Sequence, residues 1–195
     1  MMTVFVAKLL WVAGIAGWFA IRYPFQRQAA RQRVARSAGG VQDRIVLAFS
    51  ALGQFVLPFV YVVGGWPAFA DYPFHPLQGW LGLATLAVAL VLFRLTHIQL
   101  GRNWSISLET RRKHSLVTSG LYAYVRHPMY SSFLLSALAQ ILLLPNWVVG
   151  PAGLVGFAVL FFFRVGREER LMIETFGEDY RAYQRRTARI VPRLY

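Results

Sequence analysis

Apolar residues in this chain gather into long blocks, without the alternation of a surface strand or the narrow stripe of a soluble amphipathic helix. From Met2 to Ile21 only Thr3 and Lys8 interrupt the first block. About 20 helical residues rising 1.5 Å each match a hydrocarbon core of about 30 Å, so the block predicts a membrane-spanning helix. The sequence Trp18-Phe19-Ala20-Ile21-Arg22-Tyr23-Pro24 that ends it has no small-residue cleavage motif, which favours a retained span over a cleaved signal. A second block, Ile45 to Val63, carries no charge and contains Pro58, where a kink is expected. The third begins near Leu77 or Trp80 and is fully apolar to Phe93; Arg94, His97 and Gln99 then give the continuing helix a polar face. Tyr130 to Leu144 and Trp147 to Phe163 are separated only by Pro145-Asn146, which predicts a tight turn and an antiparallel helical hairpin. Both are short for a span, so tilt or local bilayer thinning is expected. The pattern predicts an all-α integral membrane protein of about five transmembrane helices, the last two a tight hairpin.

Composition narrows the class. The chain has 195 residues, 56% of them hydrophobic, and no cysteine. That length predicts one integral membrane domain over residues 1–195, with N-terminal helices and a basic connector over 1–79 and a core over 80–195. The missing cysteines exclude a disulfide scaffold, a thiolate zinc site and a cysteine nucleophile. A formal charge of +13 suggests nucleic acid or an anionic membrane surface, and the placement of the cations decides between them. One of the 21 is Lys8; six lie between Arg22 and Arg44, six between Arg94 and Arg126, and eight between Arg164 and Arg193. Five crossings place all but Lys8 on one face, which by the positive-inside rule is cytoplasmic. The N-terminus is therefore expected outside and the C-terminus inside, with membrane lipids rather than nucleic acid as the basic face's partner. The outer loops carry one acid, Asp71, and no lysine or arginine.

Candidate packing and anchoring positions are read first as structure. Ala13 and Gly17 are spaced for close helix packing. Trp66, Trp80 and Trp147 fall at span ends, where interfacial anchoring explains them. Four histidines without an i, i+4 pair predict no metal site, and His97 is expected to be a hydrogen-bonded helix residue. Ionisable residues are nearly absent from the middles of the spans, which argues against an ion path.

The chemistry-bearing residues lie in two stretches on the cytoplasmic side. The first runs from His114 through Gly120, Tyr122, Tyr124, Arg126, His127 and Pro128 to Tyr130; the second runs from Arg164 through Arg167, Glu168 and Glu169 to Phe176, Gly177 and Tyr180. The hairpin turn returns one helix alongside the other, so Tyr130 and Arg164 are expected to meet at the cytoplasmic membrane surface. Gly120 supplies freedom for a turn, and Pro128 excludes His127 from helical geometry while suiting the first turn of the helix that follows. A loop above a helix N-terminus, with Glu168 and several tyrosines nearby, suits an amphoteric ligand bearing a carboxylate, an ammonium and an aromatic base.

These residues resemble the isoprenylcysteine carboxyl methyltransferase family and its prokaryotic relatives, which belong with the phospholipid methyltransferases. The resemblance runs over about residues 80–192. It is carried by His114, Leu116, Val117, Gly120, Tyr122, Arg126-His127-Pro128 and Tyr130, then by Arg164, Glu168-Glu169 and Phe176 to Tyr180, with Gly101 to Ser105 upstream. It implies S-adenosylmethionine held by the cytoplasmic C-terminal region and a lipophilic acceptor entering from the bilayer, in a prokaryotic inner or plasma membrane. Carried over position by position, it places His114, Ser115, Leu116 and Val117 along the cofactor with Tyr122 beside it. His127, Pro128, Met129 and Tyr130 would form the turn against its methionine part, Glu168 would hold one of its polar groups, and Arg164 would meet the acceptor. Ser107 stands where eukaryotic members carry a cofactor-side glutamine, and the N-terminal segment has no counterpart.

Methyl transfer to a carboxylate needs orientation more than a base, and Arg164 is suited to pair with that anion. An acceptor amine would instead need a base, for which Glu168, Glu169, His114 and His127 are candidates. Phospholipid amine methylation, methylation of another small lipophilic acceptor, an NADPH-dependent membrane reductase and a non-enzymatic membrane subunit are the alternatives. The plain structural alternative for Glu168 and Glu169 is pairing with Arg167 and Arg170 on a solvated helix turn, and it weighs more on Glu169 than on Glu168.

Overall fold

The computed structural model describes residues 1–31, 34–37, 40–101, 104, 109–111 and 115–193, with backbone alone at 34–37 and 109–111. The helices are α1 (Val4–Ala30), α2 (Val41–Ala51), α3 (Leu57–Gly64), α4 (Pro76–Leu100), α5 (Pro128–Leu143), α6 (Val149–Phe176) and α7 (Glu178–Arg186). A π-helical turn, Leu52–Val56, joins α2 to α3. It lies just before Pro58, whose missing N–H cannot continue the regular ladder, so the expected kink takes the form of a widened turn. Among the described residues, four helical stretches are long and apolar enough to cross a membrane, namely Val4–Ala30, Val41–Gly64, Pro76–Leu100 and Val149–Phe176; α5 is apolar but shorter, at 16 residues. These are the five apolar helices that the hydrophobic blocks predict, and the chain is an integral membrane protein.

The helices outrun their apolar blocks. α1 continues through Pro24 to Ala30, and α6 runs unbroken for 28 residues. The Arg, Glu and Leu residues beyond Phe163 are good helix formers, and termination waits for Gly177 at φ 58°. After α1, β1 (Val34–Ser37) pairs antiparallel with β2 (Glu109–Arg111), adding a short ribbon to a helical protein. The ribbon joins the basic connector after α1 to the basic segment after α4.

Small residues set the helix spacing. A Cβ on Gly14 would lie 2.5 Å from the Leu86 side chain, and one on Gly17 would lie 3.7 Å from that of Leu90. The α1–α4 contact therefore uses Gly14 with Gly17, whereas Ala13 is exposed. A Cβ on Gly53 would overlap the Ala152 carbonyl, and one on Gly156 would come within 3.0 Å of the Ser50 carbonyl. The π turn and α2 thus lie directly against α6. Val46 joins Phe157, Leu160, Phe161 and Val165 in the core they share.

At the hairpin turn Asn146 is completely buried. Its Oδ1 accepts from the Val148 and Val149 amides at 3.0 and 2.9 Å, covering donors that the start of α6 exposes. Its amide donates to the Pro67 carbonyl at 2.8 Å and to Asp71 Oδ1 at 2.7 Å. Tyr61 is within electrostatic reach of Asp71, and Lys8 Nζ sits 3.9 Å over the Tyr61 ring. His75 has a structural part at this end, accepting from the Leu77 amide at 3.3 Å at the start of α4.

Candidate functional site

At the other end of the hairpin, the loop before α5 is shaped from both sides. Gly120, at φ 62°, opens a 3-10 turn (Gly120–Ala123) that rests on Gln99, whose Oε1 accepts from the Leu121 amide at 3.0 Å. Pro128 starts α5 and holds His127 at φ −127°, ψ 63°, outside helical geometry. The segment after α7 comes back along this loop: the Arg126 amide donates to the Ala188 carbonyl at 2.7 Å and the His127 amide to the Arg189 carbonyl at 2.9 Å. Tyr183 of α7 donates to the Tyr122 carbonyl at 2.6 Å.

The two glutamates of α6 organise everything between. Glu168 Oε1 accepts from Tyr130 Oη at 3.0 Å and from Arg164 Nε at 2.9 Å, and its Oε2 lies 3.5 Å from His127 Nδ1. Glu169 Oε1 takes Arg126 Nε at 2.9 Å and His127 Nε2 at 3.3 Å, and its Oε2 takes an Arg189 guanidinium nitrogen at 3.1 Å. Arg126 also donates to the carbonyls of Gln184 and Thr187. Successive helical residues diverge by about 100°, so the adjacent glutamates address different partners while His127 bridges them. Asp43 of α2 completes the cluster, with Oδ1 3.6 Å from Arg164 Nε.

The imidazole is set by these carboxylates. Burial would lower the His127 pKa, but its hydrogen bonds and charge attraction to Glu168 and Glu169 outweigh burial and raise it above the ordinary histidine value. Burial, reinforced by Tyr183 and Glu168, holds the Tyr122 hydroxyl well above its usual range, so it stays protonated. Burial likewise pushes Tyr183 up to about 12.

His127, Tyr130, Glu168 and Arg164 are thus joined in one network, as the hairpin topology predicts. Tyr122 is buried on the same loop within electrostatic reach of Glu168, and Pro128 and Met129 open α5. Leu116 and Val117 are half-buried and Ser115 is exposed in the segment leading to Gly120. His114, Ser107 and the motif positions Arg102, Asn103 and Ser105 lie outside the described residues. The plain structural alternative for Glu169 does not hold: it is buried, and its partners are Arg126, His127 and Arg189, not Arg167 and Arg170 on a solvated turn. Asp43 and Arg189 have no motif signal, since both arrive by long-range packing. Arg126 lies inside the motif, but its role is fixed by Glu169. His97 is the expected helix residue, its Nδ1 2.8 Å from the Phe93 carbonyl.

The bundle has the fold of an intramembrane methyltransferase. It matches the structure of the eukaryotic intramembrane Ras methyltransferase ICMT (isoprenylcysteine carboxyl methyltransferase) with a TM-score of 0.52 and 23% identity, over 78% of this chain and 53% of that one. Residues 80–174 of the chain match the model of the Isoprenylcysteine carboxyl methyltransferase (ICMT) family. It is 36% identical to the protein-S-isoprenylcysteine O-methyltransferase of Schizosaccharomyces pombe, over 49% of this chain and 41% of that protein. It is 32% identical to protein-S-isoprenylcysteine O-methyltransferase B of Arabidopsis thaliana, over 63% of this chain and 66% of that protein. With the Xenopus laevis enzyme of the same name the identity is 31%, over 62% and 44%. The chain therefore spans between about two fifths and two thirds of the length of these curated relatives.

Proposed function

We propose that the chain is an integral membrane methyltransferase that uses S-adenosylmethionine to methylate the carboxylate of a lipophilic, isoprenylcysteine-type acceptor reached from the bilayer. The observation that carries this is the convergence of Tyr130 and Arg164 on one oxygen of Glu168, inside the segment that matches the family. The residues present fit the cofactor. Glu168 is the more exposed of the two glutamates, its side chain 24% accessible against 7% for Glu169, and it offers acceptor oxygens to an ammonium or a ribose hydroxyl. The N-terminus of α5 at Pro128 favours an anionic group such as the cofactor's carboxylate. Ser115, Leu116, Val117, Tyr122, Met129 and His127 belong to the same side in this proposal, as does His114.

Bound S-adenosylmethionine supplies an electrophilic methyl group, and an acceptor carboxylate is already the nucleophile at neutral pH. Arg164 orients that carboxylate by pairing with its oxygens, and Glu168 holds Arg164 in place from the cofactor side. The buried network of His127 and Glu169 keeps Glu168 fixed without contributing a base. The concentration of cations on the end that carries this network supports a cytoplasmic cofactor site, with the N-terminus outside and the C-terminus inside.

The test is calorimetric titration of the purified protein with S-adenosylhomocysteine and NADPH, followed by transfer of a labelled methyl group to an S-prenylcysteine free acid. Saturable binding of the first ligand alone, with label in the lipid ester, is the expected result. Binding of NADPH alone would replace the proposal with a reductase.

A further inference from the structure

Asp43 stands apart from the other charged groups of the site. It lies on α2, outside the segment that matches the family, and is only 3% exposed. An acid in the first turn of a helix gains from the helix dipole while remaining in water, so that position does not account for its burial. Among the described residues its Oδ1 has no hydrogen bond, and Arg164 Nε lies 3.6 Å from it against 2.9 Å from Glu168. A buried, incompletely satisfied carboxylate is costly unless a further group is to be accommodated beside it.

The placement is built into the fold. The antiparallel register of α2 against α6 sets Gly53 on Ala152, Ser50 on Gly156 and Asp43 on Arg164. The close glycine contacts lock that register, so Asp43 cannot move off the guanidinium without lifting α2. Other charges face the same point. Arg22 of α1, stacked on Trp18 and Trp104 at 4.7 and 5.1 Å, is within electrostatic reach of Arg164, and Tyr130 of α5 is within reach of Asp43. Arg164 thus has two acids beside it, Asp43 and Glu168, and Glu168 is shared with His127.

We infer that Asp43 is a positioning and specificity residue for the acceptor: it flanks the same Nε of Arg164 that Glu168 holds and limits the acceptor head group to a single negative charge. The inference rests on the reading of Arg164 as the acceptor's partner. With the charge of Glu168 balanced by His127, one acceptor carboxylate and Asp43 balance Arg164 and Arg22. A dianionic head group leaves an uncompensated negative charge in a poorly solvated place. Asp43 also keeps carboxylate binding from becoming so tight that the ground state is stabilised along with the transition state.

The test measures S-adenosylhomocysteine affinity, thermal midpoint and acceptor kinetics for the wild-type chain and Asp43→Asn. The acceptors are an S-farnesylcysteine free acid as substrate and its uncharged amide as competitor. Removing the fixed charge should lower the KM for the acid about fivefold or more. The Ki of the amide and the S-adenosylhomocysteine affinity should stay within about twofold. In the wild-type protein, which needs no variant to fold, the carboxylate lipid should compete at least about tenfold better than the same lipid ending in a dianionic phosphonate, and Asp43→Asn should narrow that gap. Equal effects on acid and amide, a weaker acid in Asp43→Asn, or equal competition by carboxylate and phosphonate in the wild-type protein would overturn the inference. A wild-type chain that neither binds S-adenosylhomocysteine nor esterifies the acid fails instead on the broader proposal.

Discussion

The two ends of the α5–α6 hairpin both bury polar groups, and they do so in opposite ways. At the turn, Asn146 uses its oxygen and its amide together, and Asp71 is met by Asn146 and Tyr61. The cluster is nearly neutral and locally saturated. At the open end, Arg126, His127, Arg164, Arg189 and Asp43 crowd around two adjacent glutamates, and one of those acids is incompletely satisfied. The first arrangement fastens loops to a helix start. The second maintains charge in a place where maintaining it is costly, which is what recognition of a charged ligand requires.

The largest expected effects both fall at the open end. Arg164→Ala should reduce methyl transfer by about a thousandfold while leaving S-adenosylhomocysteine affinity intact, whereas Glu168→Ala should weaken that affinity about tenfold or more. Binding calorimetry and single-turnover assays distinguish these outcomes, and identical profiles for the two variants would break the division of labour. Next in size is Glu169→Ala, which strands Arg126, His127 and Arg189 and should cost about 3 kcal/mol of stability, seen as a lowered thermal midpoint in detergent. Asn146→Ala should cost about 1–2 kcal/mol and leave turnover per folded molecule unchanged, as befits a fastening. A loss of specific activity there would erase the contrast between the ends.

The smallest effect is a pH dependence. A histidine whose folded pKa is raised contributes its full stabilisation below its unfolded value of about 6.5 and loses it as pH rises through the folded value. The thermal midpoint should therefore decline as pH rises above neutrality. His127→Gln should flatten that decline, and Asn146→Ala should preserve it.

Much of this contrast was legible in the sequence. Long apolar blocks and Pro145-Asn146 set the hairpin, and Pro128 set the entry of α5 and the conformation of His127. The juxtaposition of Tyr130, Glu168 and Arg164 follows from those features because each lies within about a turn of the hairpin's open end. The partners of Glu169 did not follow. Arg126 and Arg189 reach it through a loop and a returning segment whose pairing is set by backbone hydrogen bonds to Ala188 and Arg189, which leave no pattern in residue type. Asp43 was equally silent, since its position depends on where glycines on α2's continuation and on α6 allow two backbones to approach. The outer fastening escaped because Asn146 reads as a turn residue, and its bonds to Pro67 and Asp71 bridge more than 70 positions.

The unbroken course of α6 has one more consequence. Arg164 and Glu168 are one turn apart on a single rod, separated by about 6 Å along its axis. In the proposed enzyme the helix is a ruler laid between acceptor and donor, graduated in turns, and neither side chain can drift along it. One residue inserted between them would keep every chemical group and rotate one end by about 100° relative to the other, leaving two intact half-sites that no longer face each other.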